Sequence, residues 1–157
     1  MLILGIDPGT ARIGLGLVEY KNKKVAARCF DCLTTHSGDT TAHRLDDLHK
    51  NLTKFIKKHR PDAVAVEELF FFKNQTTAIK VSQARGVILL AAQQQGLLVH
   101  EYTPLQVKQA LTGYGRAEKS QVQQMVKAIL NLKEIPKPDD AADALAIAIC
   151  CAHSIKS

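Results

Sequence analysis

Two short apolar runs, each closed by a carboxylate, limit what this chain can fold into. Leu2-Ile3-Leu4-Gly5-Ile6 ends at Asp7 and breaks at Pro8-Gly9-Thr10, and Ala63-Val64-Ala65-Val66 ends at Glu67. Unbroken apolar runs of this length, bounded by turn signals, read as strands buried inside a sheet. A carboxylate beside such a strand is costly to desolvate unless a cation pairs with it. Asp140 and Asp143 stand likewise at the head of a very apolar segment, Ala144 to Ala152. Two carboxylates about 4 Å apart repel by roughly 4 kcal/mol at an effective dielectric near 20. Convergence of several therefore calls for a divalent metal, and hard oxygen ligands select Mg²⁺ or Mn²⁺.

The patterning around these runs gives the rest of the architecture. Residues 2–7 form the first strand. Ile13, Leu15 and Leu17 alternate with small or polar residues, so Ile13 to Tyr20 is a second strand. Lys21-Asn22-Lys23-Lys24 makes a polar turn, and Val25 to Thr34 a third strand, completing an antiparallel meander. Leu45, Leu48, Leu52, Phe55 and Ile56 recur at helical spacing, which predicts a helix over 41–59 that Pro61 stops. Residues 63–68 are the fourth strand, parallel to the first and reached through that helix. A second long helix covers 75–95 with Gly96 as its stop, and 97–102 is the fifth strand. Thr103-Pro104-Leu105-Gln106 is a helix start, with Thr as cap, Pro first and Gln three after the cap. Gly113-Tyr114-Gly115 interrupts, a further helix spans 118–131, and the last spans 139–154. The order βββαβαβα, with one or more helices inserted before the last, is an α/β fold: a five-stranded mixed sheet with helices on both faces. The 157 residues suit a single domain, 1–157, with no repeat or linker.

Charge narrows the class of partner. The chain carries a net +6, and residues 69–137 hold nine Lys/Arg against three Asp/Glu. A basic block favours polyanions, nucleic acid first, although a solvated basic surface explains it too. No apolar run reaches transmembrane length, and the N-terminus has neither a basic region nor a cleavage pattern, so the expected location is the cytoplasm. The cysteines are Cys29, Cys32, Cys150 and Cys151. Cys29-x-x-Cys32 falls inside a strand, where positions three apart face opposite sides, so the pair cannot chelate one ion. They read as structural cysteines.

Asp140 and Asp143 are three apart and share a helix face, as do Asp139 and Asp143, four apart, so spacing does not choose between Asp139 and Asp140. Capping explains acids in a first turn. It explains Asp143 poorly, because that residue sits deeper and is followed at once by Ala-Leu-Ala-Ile-Ala-Ile. If the first and fourth strands are parallel neighbours, Asp7 and Glu67 end at the same level. Such a site suits phosphodiester hydrolysis, in which two metals activate a water and stabilise the leaving oxygen.

At this level of detail the chain resembles the RuvC-type Holliday junction resolvases of the ribonuclease H-like superfamily. The matching stretches are Ile3-Leu4-Gly5-Ile6-Asp7-Pro8-Gly9, Val66-Glu67, Lys73-Asn74, Gln83-Ala84-Arg85-Gly86-Val87, Gln106-Val107-Lys108-Gln109, Ala117-Glu118-Lys119-Ser120-Gln121-Val122 and Asp140-Ala141-Ala142-Asp143-Ala144-Leu145-Ala146. They span nearly the whole chain in order. The resemblance implies a bacterial homodimer that nicks two strands of a four-way DNA junction symmetrically, with two Mg²⁺ per site and Mn²⁺ as a substitute. It implies Asp7, Glu67, Asp140 and Asp143 as catalytic metal ligands, and prefers Asp140 to Asp139. Glu68 falls where the family often has Gln and reads as a neighbour. A branch-migration motor complex of the RuvA and RuvB type is the implied protein partner.

Phe70-Phe71-Phe72 cannot enter one core together, since adjacent side chains point apart. Packing is the ordinary fate of such residues, but the resemblance marks Phe70 as a junction-wedging residue. Lys108 and Lys119 lie in matched motifs and are expected at the scissile phosphate. Lys73, Lys80 and Arg116 are weaker candidates for backbone contact, and Arg85 supports either the fold or a dimer.

Gly-Ile-Asp-x-Gly-Thr also opens actin-like kinases and ATPases, but those need two such domains around a nucleotide. Another ribonuclease H-like nuclease acting on RNA or a flap, and a DNA-binding module without activity, complete the alternatives. The presence of all four acids argues against the last.

Overall fold

A computed structural model describes residues 1–69 and 75–155. The strands are β1 (Leu2–Asp7), β2 (Arg12–Lys21), β3 (Lys24–Thr34), β4 (Ala63–Glu67) and β5 (Leu98–Tyr102). The helices are α1 (Thr41–His59), α2 (Gln75–Gln94), α3 (Pro104–Thr112), α4 (Lys119–Ile129) and α5 (Asp139–Ser154). One sheet runs in the order β3-β2-β1-β4-β5. β1 pairs antiparallel with β2 and β2 with β3, whereas β4 is parallel to both β1 and β5. This is the expected mixed sheet, with the two apolar runs as its middle strands.

Alternation along those strands sorts side chains between two cores. Leu4, Ile6, Val64 and Val66 pack with Leu48, Leu52 and Ile56 of α1 and Ala84, Ile88 and Ala91 of α2. Ile3 and Ala65 face the other way, onto a core built from Val107, Leu111, Val122, Val126 and most of α5. Asp7 and Glu67 continue the second set, so both point to the α5 side.

α5 lies unusually close to the sheet, and glycines allow it. A Cβ on Gly5 would stand 2.0 Å from the Ala144 carbonyl oxygen, one on Gly14 1.9 Å from that of Asp140, and one on Gly16 2.6 Å from the Leu145 nitrogen. The helix answers with Ala141, Ala144 and Ala148, all buried. Backbone therefore rests on backbone. The register of α5 against β1 and β2 is fixed by shape, and that register sets where Asp140 and Asp143 emerge. Leu145, Ile147 and Ile149 complete the burial, each contributing about 1.5–3 kcal/mol.

Several expected boundaries shift by a residue or two. β4 stops at Glu67 rather than 68, although the Glu68 amide still donates to the Tyr102 carbonyl at 2.8 Å. α4 spans Lys119–Ile129 rather than 118–131, because Glu118 is its cap and Asn131 takes a left-handed φ of 50°. α2 ends at Gln94 and β5 begins at Leu98, with Gly96 left-handed between them. Two helices, α3 and α4, fill the insertion before α5. The α3 cap forms as read: the Gln106 amide donates to Thr103 Oγ1 at 3.2 Å and the Thr103 amide to Gln106 Oε1 at 2.8 Å. Cys29 packs toward α1, its Sγ 3.9 Å from His59 Nδ1. Cys32 stands opposite Gly14, whose missing Cβ faces α5, so the two thiols do lie on opposite sides of the sheet.

Candidate active site

β1 and β4 run parallel with Ile6 opposite Val66. The next pair, Asp7 and Glu67, therefore leaves the sheet at one level and on one side. α5 brings Asp143 to the same place from above. Together they line an open cleft of about 690 Å³, closed by Pro104, Val107 and Lys108 of α3, Lys119 and Val122 of α4, and Ala146. Helix starts deliver the two lysines. The Thr103–Gln106 cap sets the phase of α3, and Gln121 Oε1 accepts from the Glu118 amide at 2.7 Å, which starts α4 at Lys119.

The electrostatics show strong mutual repulsion. Burial first, then the charges of Asp143, Glu67 and Asp140, push the Asp7 carboxyl from 3.8 up to about 8, against a smaller opposing pull from Lys119. Burial and Asp143 raise Glu67 from 4.5 to about 7, with Lys108 and Lys119 working against them. Asp143 is raised as well, chiefly by burial, even though Lys119 Nζ donates to its Oδ2 at 2.7 Å. Lys119 itself is partly desolvated, but its bond to Asp143 and the nearby acids outweigh that and hold its ammonium form. Two ammonium groups, Lys108 and Lys119, do not neutralise the four acids that act on one another here.

Asp140 lies at the margin. It does not line the cleft, and its Oδ2 is 3.4 Å from Arg12 Nε. Asp139 is 3.9 Å from Lys119 Nζ. The structure thus turns these adjacent acids toward different cations. Lys80 is elsewhere: it lines a smaller cavity against α1 with Thr10, Thr35 and Arg44, on the face of the sheet away from α5. Arg116 is exposed in the α3–α4 loop. Phe70 and Lys73 lie outside the described residues.

Three arginines take part in the frame of the cleft. Arg85 Nε donates to the Glu67 carbonyl at 3.2 Å, and its guanidinium also pairs with Glu101 of β5. Arg44 Nε donates to Thr35 Oγ1 at 3.0 Å and its terminal nitrogen to the Thr10 carbonyl, tying down the turn after Asp7. Arg12 faces Asp140. The sequence reading left Arg85 between fold and dimer support, and nothing in the local pattern of Arg12 or Arg44 marks either one. Asp39, His43 and Asp47 form a separate group, with one ligand atom from each lying within 4.8 Å of the others. Their i, i+4 spacing was legible, but they sit at the start of α1, outside the cleft.

The family model for crossover junction endodeoxyribonuclease RuvC matches residues 3–151. The chain belongs to the RuvC family of nucleases. It is 61% identical to the crossover junction endodeoxyribonuclease RuvC of Desulfitobacterium hafniense over 99% of this chain and 94% of that one. Identity to the protein of the same name from Caldanaerobacter subterraneus is 58%, over 98% and 93%. Among solved structures, Thermus thermophilus RuvC superposes with a TM-score of 0.90 at 42% identity, covering 98% of this chain and 94% of that one. T. thermophilus RuvC in complex with Holliday junction substrate gives 0.88 at 39%, with the same coverage. The yeast mitochondrial Holliday junction resolvase Ydc2 shares the fold, at a TM-score of 0.69 and 15% identity.

Among the described residues the RuvC-family cleft offers hard carboxylate oxygens and no sulfur or imidazole, which is the donor set of a divalent cation such as Mg²⁺. The raised Asp7 and Glu67 say the same in energetic terms: the ionised cluster lacks positive charge. Among the described residues no helix is long and apolar enough to cross a membrane.

Proposed function

We propose that residues 1–157 form one nuclease domain that resolves four-way DNA junctions by nicking two strands symmetrically, with Asp7, Glu67, Asp140 and Asp143 as the metal-holding catalytic acids. The observation that carries this is the convergence of Asp7, Glu67 and Asp143 in a single cleft beside Lys108 and Lys119. Two Mg²⁺ ions, or Mn²⁺ in their place, would supply the charge that activates a water and stabilises the leaving oxygen. The acids hold that charge in position, and Arg85 and Arg44 keep the ends of β1 and β4 from shifting. Lys108 and Lys119 stand where a scissile phosphate would lie against the cleft, giving it cationic hydrogen-bond donors. Arg12 holds Asp140 in reserve at the margin. Phe70, two residues beyond Glu68, is assigned to wedging the crossover on the strength of the family resemblance, with Lys73, Lys80 and Arg116 as backbone contacts.

Symmetric nicking requires two sites, so the active form is a homodimer. α2 supports this: Ile79 and Leu90 are 61% and 52% exposed, and both flank Gly86, where a Cβ would meet nothing within 4 Å. The cytoplasm and a branch-migration motor complex of the RuvA and RuvB type follow from kinship with bacterial resolvases. The deciding experiment is cleavage of a synthetic four-way junction, with a linear duplex of the same sequence beside it, with and without Mg²⁺. Paired, symmetric nicks only on the junction and only with metal are expected. Cleavage of RNA or flaps in preference would replace this reading with the general ribonuclease H-like one.

A further inference from the structure

A group of cations without ion-pair partners lies at the end of the sheet opposite the candidate active site. β2 and β3 meet there in the turn carrying Lys21, Lys23 and Lys24, and α1 ends at the same end of the sheet with Lys57, Lys58 and Arg60. Both segments are fixed at that end by backbone contacts to the start of β1. The Met1 ammonium donates to the Tyr20 carbonyl, and the Asp62 amide to the Leu2 carbonyl. All six cations are exposed, and among the described residues none has a carboxylate within ion-pair distance. The acids at this end are already engaged: Glu19 by Arg28, and Asp62 by the Leu2 amide. At the cleft Arg12 and Lys119 are paired, whereas Lys108 has no carboxylate within ion-pair distance among the described residues.

Backbone geometry adds a second observation. Among the described residues four non-glycines take positive φ: Asn22, Lys23, Arg60 and Asn131. Asn adopts that conformation readily, whereas Lys and Arg do not. Lys23 fills the second left-handed place of a two-residue hairpin turn, where Asn-Gly is the favoured pair. Arg60 fills the left-handed position ending α1, where Gly is usual. At both places the chain keeps a cation where glycine would fit the backbone better. Arg60 and Lys57 also line an open pocket with Pro61 and Gln95, so their heads stand at an accessible surface.

We propose that this end of the molecule is a second binding surface for the sugar-phosphate backbone of double-stranded DNA, separate from the cleft. The 19 residues of α1 put it about 28 Å from the cleft end. A duplex lying in the cleft therefore leaves it free for another segment. Duplex DNA carries one negative charge per roughly 1.7 Å of axis, so exposed lysines and an arginine can meet several phosphates without reading sequence. It would keep the enzyme on DNA, or hold a second duplex near a junction engaged by the cleft.

The test compares two triple variants that remove equal charge. One is Lys23→Gly/Lys58→Gln/Arg60→Gly. The other, Lys127→Gln/Lys133→Gln/Lys137→Gln, falls on α4 and the segment between α4 and α5. Binding of a linear duplex is measured across a salt series, together with melting temperature and junction cleavage. The first variant should bind duplex about tenfold more weakly at low salt, with a log–log salt slope smaller by about 2–3. Its melting temperature should hold or rise, because glycine suits both left-handed positions, and its cleavage of a short-armed junction should be unchanged. The control should keep most of its duplex affinity. Wild type, but not the first variant, should form a ternary complex of junction, protein and labelled duplex. Equal loss in both variants, no loss in the first, or one-for-one displacement of junction by duplex would each overturn the proposal. An acidic protein as the true occupant would show as the second of these.

Discussion

Asp7 concentrates the tension of the cleft in one side chain. It is partly buried, faces three other acids and has only Lys119 to offset them, so its carboxyl is raised to about 8. A raised acid is protonated in the folded chain at a pH where the unfolded chain has lost the proton. Its contribution to stability is therefore retained below its ordinary 3.8 and lost as pH rises through about 8. Glu67, raised to about 7, acts in the same direction. Asp7→Asn should thus melt higher than the parent in metal-free buffer near the top of that window, by about 2–4 °C for each kcal/mol relieved. It should also lose cleavage by more than the roughly 10–100-fold typical of a residue that only supports a metal site. Calorimetry and junction cleavage on one preparation check both. A variant that melts higher and still cleaves would remove Asp7 from the metal site. Arg85→Ala leaves every acid intact but frees the Glu67 carbonyl and leaves Glu101 unpaired. It should raise the Mg²⁺ concentration needed for half-maximal cleavage, and Arg85→Lys should recover it only in part, because lysine lacks the fork that reaches both partners.

α5 decides the site at the level of elements. Its acids reach Asp7 only because Gly5, Gly14 and Gly16 let its backbone rest on the sheet. Gly5→Ala should destabilise by about 3 kcal/mol, the upper end for overpacking, since the new methyl meets a carbonyl rather than a side chain that can swing away. Urea denaturation at equilibrium measures this, and a loss under 1 kcal/mol would show that α5 can lift without cost. α2 makes an independent case. Leu90→Glu places a charge among the exposed apolar side chains of that helix, and sedimentation should then show the proposed dimer of the parent replaced by monomer. A dimer that survives the change would move the contact to another face.

At the scale of the whole molecule, charge divides by function. The cleft end holds clustered acids, with Arg12 and Lys119 paired to them, and the far end holds the unpaired cations of the β2–β3 turn and the end of α1. Metal-free stability should fall from about pH 4 to pH 8, following the raised Asp7 and Glu67. Mg²⁺ should restore it at the alkaline end and do little at the acid end, where the ligands carry protons. Melting temperature against pH, with and without Mg²⁺, reads this directly, and a Mg²⁺ effect equal at both ends would point to binding outside the cleft.

Much of this was already legible along the chain. β1 and β4 showed as unbroken apolar runs, α1 as a helical stripe, and α3 as a capped start, because each is set by contacts within a few residues or by the need to bury a face. The four acids stood out because charge at the edge of an apolar run is costly wherever the run ends up. The sequence also implied that the cysteines of Cys29-x-x-Cys32 face apart, since that follows from strand geometry alone. Tertiary structure decided the rest, for the reason that it depends on residues distant in sequence meeting in space. The close seat of α5 joins glycines at 5, 14 and 16 to a helix beginning at 139. Arg12, Arg44 and Arg85 acquire their roles from partners on other elements. Asp139 and Asp140, equivalent by helical spacing, separate only when Lys119 and Arg12 arrive on either side. Charge shows the difference too: counted along the chain, the excess falls in 69–137, yet folding pairs Arg85 and Lys119 of that stretch and brings the unpaired cations of the β2–β3 turn and the end of α1 to one end of the sheet. Linear charge counts cannot anticipate this, because an ion pair is a matter of a few ångströms and sequence separation is not.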